Sequence, residues 1–289
     1  MPEIFPESSP GSFTYDEKLD KWVMTVCHHY QWDLNYTNPK VFFEMLGNVF
    51  FYANLGVDVV RIDAPAFIWK QMGTTCQNLP EAHQLLQLIK MCVEVATPGM
   101  AILGEAIVAP AQIMEYFGTG RYATHECDFA YNATQMAVQW DALATGDVRI
   151  MQNAQHELLR KPLGATWLTY TRCHDDIGWN VLRPELDARG PEHRARLLHA
   201  SQFFAGTIPG SYAQGAAFQA SDTNVVHGTN GMTAALVGLT SAQTTDELNA
   251  ATSRLVMMHS LSLFVGGLPL IYMGDEWGQG NTSAEEIAQ

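Results

Sequence analysis

The chain has 289 residues, of which 47% are hydrophobic and 16% are charged. This is enough apolar material for the core of one large α/β domain and too little charge for a disordered chain. Thirty acidic residues against sixteen basic ones give a formal charge of −14, and a field of this sign repels nucleic-acid phosphates and anionic lipid heads. We therefore expect neither nucleic acid nor a membrane as a partner, whereas a neutral ligand such as a sugar is compatible with the charge.

The five cysteines are scattered and form no C-x-x-C pair, so the sequence predicts neither a zinc site nor a redox site. A reducing cytoplasm is the simplest location for such a chain. The sequence does not open on a charged and apolar leader, and the apolar stretch 261–272 is short and interrupted by Gly and Pro. We therefore expect no secretion signal, no transmembrane segment and, since no cofactor motif is present, no cofactor.

From about Asn38 onward, long amphipathic runs alternate with short β-branched runs. The first such run is predicted as a helix over 39–55, with Asn38 as its cap and Pro39 at its first position. This helix stops at Gly56. A buried strand over 57–62 follows it. Such an alternation is typical of βα units around a parallel sheet.

The alternation recurs along the chain. It predicts a helix over 79–96 and strands over 100–103, 165–171 and 268–273, with a weaker indication of a strand over 124–128. These are four or five barrel-type strands, whereas a closed barrel has eight. The predicted fold is therefore α/β, a partial TIM (β/α)8 barrel that contains only the later strands.

Carboxylates or histidines follow the predicted strands. In a parallel barrel the carboxyl ends of all strands open onto one face, so we expect these side chains to converge. They are Asp63, Glu105, His174, Asp175 and Asp275. One Asp at a strand end is most often a solvated loop residue or a helix cap, but the whole set favours a functional site.

Two converging carboxylates are what a retaining glycosidase needs: one attacks the anomeric carbon and the other protonates the leaving oxygen. Asp63 suits the first role because Arg61 points to the same side of the strand and favours the ionised form. Glu105 suits the second because its neighbours in sequence are mostly apolar. Asp175, with His174, could bind sugar hydroxyls and stabilise oxocarbenium charge.

Two other features have competing explanations. Four aromatic residues could form a sugar-stacking platform or could simply pack in the barrel, and packing is the more common role; they are Trp32, Tyr36, Phe67 and Trp69. His28 and His29 lie next to each other without a third spaced ligand, so we predict no transition metal there.

Several segments resemble successive motifs of the α-amylase superfamily, in the form found in amylosucrase and sucrose hydrolase. They are QWDLNYTNP (31–39), GVDVVRIDAPAFIWK (56–70), GEAIV (104–108), RCHDDIGW (172–179) and GLPLIYMGDE (267–276). Their order and their spread over most of the chain make the resemblance specific.

The resemblance implies that Asp63 is the nucleophile, which forms a β-glucosyl-enzyme, that Glu105 is the general acid/base and that Asp175 stabilises the transition state. It also implies roles in binding sugar for a larger set. These are Arg61 and His174 in the glucosyl subsite, Asp176 at the far end of the pocket, Ile107 on the acceptor side, Phe67, and Arg194 and Gln219 in acceptor-site segments.

Relative to that family, the first barrel strands, the last barrel helix and a C-terminal β domain are absent. Residues 1–37 would be the end of an inserted B-type domain with the loop into the barrel, and 38–289 the C-terminal part of the catalytic barrel. The hypothesis that the resemblance favours is a sucrose-acting enzyme, with water or another sugar, such as an oligosaccharide, as the acceptor. Two alternatives stay open: an α-glucosidase for maltose-like substrates, and a truncated chain without catalytic activity.

Overall fold

The computed structural model describes residues 3–158, 161–182, 191–222 and 224–282. The chain divides into two compact units. The first unit comprises Met1–Ala106, Ile113–Ala130 and Lys161–Ala165, and the second comprises Ile107–Gln112, Tyr131–Arg160 and Thr166–Gln289. The interpretation of 1–37 as the end of an inserted domain stays a prediction.

The first unit contains a hairpin followed by two strand–helix repeats. Its elements are β1 (Phe13–Asp16), β2 (Lys21–Met24), α1 (Pro39–Asn54), β3 (Val59–Ile62), α2 (Pro80–Ala96) and β4 (Ala101–Gly104), and β5 (Phe129–Tyr131) lies at its end. Strands β3 and β4 pair in parallel from Val59↔Ala101 to Ile62↔Gly104. Strand β5 continues the parallel pairing at Leu103↔Phe129.

Local sequence signals explain why these elements form. The side chain of Asn38 accepts a hydrogen bond from the backbone N–H of Lys40 at 3.1 Å, and Pro39 occupies the first turn of α1, as predicted. Helices α1 and α2 pack on the sheet through one apolar core. Its buried members are Phe42, Leu46, Leu85, Ile89, Val93, Met100, Ile102 and Cys127.

The second unit is mostly helical around two strands of the parallel sheet. Its elements are α3 (Pro110–Ile113), which crosses its boundary, α4 (Ala133–Thr145), α5 (Arg149–Leu158), β6 (Thr166–Tyr170), α6 (Pro191–Phe204), β7 (Ala216–Phe218), β8 (Gly228–Asn230), α7 (Thr233–Leu236), α8 (Thr245–Phe264) and β9 (Leu268–Leu270). Strands β6 and β9 pair in parallel, whereas β7 and β8 form a separate antiparallel hairpin.

Aromatic residues form the core of the second unit. Trp140 is fully buried, its ring centroid lies 5.0 Å from that of Phe204, and its indole N–H donates to the carbonyl of Thr171 at 2.7 Å. The ring of Trp179 stacks on Phe204 at 6.1 Å. This cluster fixes the loop that follows β6.

Three strand predictions differ from the structure. The predicted strand over 124–128 is wrong, because β5 begins only at Phe129; the chain before it turns at Thr124, where φ is 70°, and Asp128 is held by the backbone N–H of Ile102 at 2.7 Å. Strand β9 ends at Leu270 instead of residue 273, since its partner β6 ends at the paired residue. The expected buried strand at 57–62 is partly open, and Val59 is 40% exposed.

In the described part of the chain, no helix is long and apolar enough to cross a membrane.

Candidate active site

Asp63 and Glu105 follow neighbouring strands of the first unit. Because Ile62 and Gly104 are register partners, the two carboxyl-bearing residues leave β3 and β4 at the same level. The backbone N–H of Glu105 donates to the carbonyl of Ile62 at 3.0 Å. Adjacent strands lie about 4.8 Å apart, so the two residues are neighbours at the carboxyl edge of the sheet.

Asp63 is held by the predicted ion pair. Nη1 of Arg61 lies 2.7 Å from Oδ1 of Asp63, as two residues on the same side of a strand allow. The Asp63 side chain is 71% exposed. The side chain is therefore oriented by the guanidinium and accessible to a ligand, as a nucleophile requires.

The turn after Asp63 aims a backbone donor at Glu105. Ala64 has φ 42° and ψ 47°, a left-handed conformation that costs a residue with a Cβ about 1–2 kcal/mol. Its N–H donates to Oε2 of Glu105 at 2.8 Å, and Pro65 then starts a short 3-10 helix, Pro65–Phe67. Such strain at a residue next to two carboxylates is typical of functional sites.

A cleft of about 430 Å³ opens beside Asp63 in the first unit. Among its lining residues are Arg61, Asp63, Trp32, Tyr36 and Phe67. Three of the four aromatic residues considered as a stacking platform therefore line this cleft, while Trp69 packs against the apolar core.

Asp33 and Lys70, which were given no role in the sequence analysis, hold the backbone of Phe67 in place. Oδ1 of Asp33 lies 2.8 Å from Nζ of Lys70, and Oδ2 accepts from the backbone N–H of Val26 at 2.7 Å. The ammonium of Lys70 also donates to the carbonyl of Phe67. Asp33 lies in the motif at 31–39 and Lys70 in the motif at 56–70. Their opposite charges in two neighbouring motifs could have indicated this ion pair from the sequence.

The two adjacent histidines near the chain start do not form a cluster of metal ligands in the described residues. His28 instead stacks between Phe5, at 4.7 Å, and Tyr30, at 5.3 Å. Burial raises the pKa of the neighbouring Cys27 thiol, and the charge of Asp33 adds to this effect.

His174 and Asp175 follow β6 in the second unit. Nε2 of His174 lies 3.4 Å from Oδ2 of Asp175, and about half of each side chain is exposed. One ligand atom each from Cys173, His174 and Asp175 lie within 4.8 Å of one another, so this trio could hold a metal ion. The sequence interpretation assigns His174 and Asp175 to sugar binding instead, and we keep that assignment as a prediction.

Asp176 differs from its neighbour because it is largely enclosed. Burial raises the pKa of its carboxyl group to about 6, and the charge of Asp175 contributes to the rise. Ile107 belongs to the same unit, and its Cγ2 lies 3.9 Å from the position that a Cβ at Gly178 would take. The predicted acceptor-side residue is therefore close to the loop that carries Asp176.

The remaining predicted residues have different surroundings. Arg194 is exposed on α6, and Gln219 is half-buried directly after β7 with φ 55°. Asp275, expected at the strand ends, is buried; its Oδ2 accepts from Oγ1 of Thr233 at 2.7 Å and lies 3.8 Å from Nε2 of His259. Its contacts are those of a buried polar network.

The chain belongs to the α-amylase family: the family model described as "Alpha amylase, catalytic domain" matches residues 1–182. This range contains Asp63, Glu105 and the segment from Cys173 to Asp176. The resemblance inferred from the motifs is thereby confirmed at the level of the superfamily.

Curated relatives carry two kinds of name, glucosylglycerate phosphorylase and trehalose synthase. A glucosylglycerate phosphorylase from Allomeiothermus silvanus is 28% identical over 206 residues, which is 68% of this chain and 36% of the relative. A trehalose synthase from Pimelobacter sp. is 28% identical over 187 residues, 63% of this chain and 33% of the relative. The chain thus spans about a third of the length of these relatives.

Solved structures support the fold. A sucrose 6F-phosphate phosphorylase from Thermoanaerobacter thermosaccharolyticum aligns with a TM-score of 0.66 at 18% identity, covering 98% of this chain and 56% of that one. Trehalose-6-phosphate hydrolase from Bacillus licheniformis aligns at 0.54 and 16% identity, covering 96% of this chain and 41% of that one. Together with the parallel strand pairing within each unit, they confirm the predicted α/β class and partial barrel.

Proposed function

We propose that the chain carries part of a retaining α-glucosidic enzyme that cleaves sucrose through a β-glucosyl-enzyme intermediate. Asp63 attacks the anomeric carbon and Glu105 protonates the leaving fructosyl oxygen. Asp175 stabilises the oxocarbenium-like transition state. Water or a second sugar then releases the glucosyl group, with Glu105 acting as the base.

The pairing of Asp63 with Glu105 is the observation that carries the proposal. Retaining enzymes hold their carboxyl groups about 5–5.5 Å apart and inverting enzymes about 6.5–9.5 Å apart. Asp63 and Glu105 follow register-paired residues of adjacent strands, whose backbones lie about 4.8 Å apart, an arrangement that is compatible with the shorter separation. The contact of Arg61 with Asp63 at 2.7 Å orients the proposed nucleophile.

The remaining assignments refine the sugar-binding side. We propose that Arg61, His174 and Asp176 bind glucosyl hydroxyls, that Phe67 stacks on a sugar ring, and that Ile107 lies on the acceptor side. Arg194 and Gln219 are proposed to contact a longer acceptor. We also propose a cytoplasmic location, supported by five free thiols, which a fractionation experiment would test.

The first experiment compares product release from sucrose, maltose and p-nitrophenyl α-glucoside by the chain and by its Asp63→Asn variant. We expect glucose or glucosyl transfer from sucrose, and a loss on the order of 10³-fold in Asp63→Asn. Asp58→Asn is the matched control, since this exposed residue lies just before the same strand. Faster turnover of maltose would favour the α-glucosidase alternative, and no release from any donor would favour the non-catalytic one.

Phosphate is a second acceptor worth testing, because two of the similar proteins are named as phosphorylases. Formation of glucose 1-phosphate from sucrose and inorganic phosphate would assign phosphorolysis in place of hydrolysis. The nucleophile and acid/base assignments would be unchanged.

Azide rescue separates the two carboxylates. Azide can replace the acceptor when Glu105→Ala lacks its base, giving a glucosyl azide of retained α configuration. In Asp63→Ala, azide takes the place of the nucleophile and gives the β product. The opposite pattern of products would reverse the two roles.

A further inference from the structure

The β7–β8 hairpin holds the segment that carries Asp176. Ile177 and Thr229 form an antiparallel bridge, with N–H···O distances of 2.8 Å and 3.2 Å. The indole N–H of Trp179 donates to Oγ1 of Thr229 at 2.9 Å. Hydrogen bonds to strand β8 therefore hold the segment 176–179 in place.

Strand β8 has no side chain at the point where Asp176 meets it. A Cβ added to Gly228 would overlap Oδ2 of Asp176, and it would lie 3.1 Å from Cγ of Asp176 and 3.2 Å from Cδ1 of Phe218. Gly228 is not among the residues with positive φ, so glycine is not required there by backbone conformation. The space that it leaves is filled by the carboxyl group.

The carboxyl group of Asp176 lacks a compensating charge among the described residues. The neighbour whose charge acts on it is Asp175, which has the same sign, and a hydrogen bond from the backbone N–H of Asp176 itself offsets only part of the cost of burial. A largely buried carboxylate in such surroundings is costly unless hydrogen-bond donors satisfy it. Sugar hydroxyls are donors of the required kind.

We propose that Gly228 is a positioning residue: the absence of a side chain at this residue lets the carboxylate of Asp176 lie against β8, where it accepts hydrogen bonds from the hydroxyls of a bound sugar. This inference rests on the proposed function for its ligand. The β7–β8 hairpin would then position one sugar-binding carboxylate. This hairpin lies outside the segment matched by the family model.

The binding test uses sucrose and the Asp63→Asn background, in which turnover is expected to be suppressed. Gly228→Ala should weaken sucrose binding, measured by calorimetry, about 10- to 100-fold, the loss expected for a hydrogen bond to a charged group. Gly178→Ala is the matched control in the same segment, because its Cβ would make only an ordinary contact of 3.9 Å. Gly228→Ala/Asp176→Asn should bind no more weakly than Asp176→Asn alone.

A stability cycle tests the same contact without any sugar. Gly228→Ala should lower the urea midpoint more in the wild-type background than in Asp176→Ala, where the overlap with the carboxyl group is removed and only the 3.2 Å contact with Phe218 remains. If Gly228→Ala does not fold, the double variant must still fold. An equal cost in both backgrounds, or unchanged sucrose binding in Gly228→Ala, would overturn the inference.

The two tests also separate this inference from the proposed function. Absence of sucrose binding in the Asp63→Asn parent would count against the proposed function. The stability cycle would still decide whether Gly228 sets the position of Asp176.

Discussion

Replacing Asp176 with Asn should make the folded chain more stable at neutral pH and leave it unchanged in acid. Burial raises the pKa of this carboxyl group from 3.8 to about 6, with a smaller contribution from Asp175. The folded state therefore binds the proton more tightly than the unfolded chain. The stabilisation from protonated Asp176 is fully present below about pH 4 and is lost as the pH rises through 6.

One pKa unit corresponds to about 1.4 kcal/mol, so a rise of about two units implies that ionised Asp176 costs about 3 kcal/mol at pH 7. Asparagine is uncharged at every pH and has nearly the same shape. We expect Asp176→Asn to exceed the wild type by up to about 3 kcal/mol at pH 7 and to match it near pH 4. Asp175, whose charge acts on this carboxyl group, is the same in both proteins.

Urea unfolding of both proteins at several pH values between 4 and 8 measures this difference. The informative quantity is the difference in the free energy of unfolding between the wild type and the variant, followed as a function of pH. The contributions of the other titrating groups cancel in this difference because they are the same in both proteins. A difference that stays constant across this range would refute the assignment of Asp176 as a buried carboxyl group. A destabilised variant at pH 7 would show that favourable contacts of the carboxylate outweigh the cost of its burial.

Other predictions address the remaining parts of the structure. Arg61→Gln should lower turnover of sucrose on the order of 10²-fold. It should change the free energy of unfolding by less than about 1 kcal/mol, because the ion pair to Asp63 is exposed. A large loss of stability in thermal unfolding would contradict this prediction. Thr244→Ala should cost about 1 kcal/mol in urea unfolding, because it removes the capping box that starts α8; Thr244→Ser should retain most of it. Dialysis against a chelator should leave turnover unchanged, and recovery of lost activity with Zn²⁺ would instead assign a metal to the cluster at 173–175.

The sequence predicted the ends of β3 and β4 well because local signals coincide there. Asn38 and Pro39 mark the start of α1, and an acidic residue directly follows each of β3 and β4 after a β-branched or apolar run. The Arg61–Asp63 contact follows from the two-residue repeat of a strand. These features need no knowledge of distant contacts.

Other features depend on contacts between distant residues, which a single sequence does not reveal. The start of β5 is set by Asp128, which is bound by Ile102 and Lys90. The β7–β8 hairpin has short strands and a weak pattern, so it was not predicted. Helix α8 was also missed, although Thr244 and Glu247 form a capping box that the sequence pattern T-x-x-E could have indicated.

Backbone groups position a key carboxylate in each unit. The N–H of Ala64 binds Glu105, and the backbone of Thr229 holds Ile177 next to Asp176. Such contacts depend on strand register and chain direction, and side chains around them can change without breaking them. An arrangement of this kind is compatible with relatives that are 28% identical and have names that refer to different sugars. Substrate choice should then depend on side chains such as Phe67 and Ile107, and substitutions there should change the preferred sugar while the roles of Asp63 and Glu105 persist.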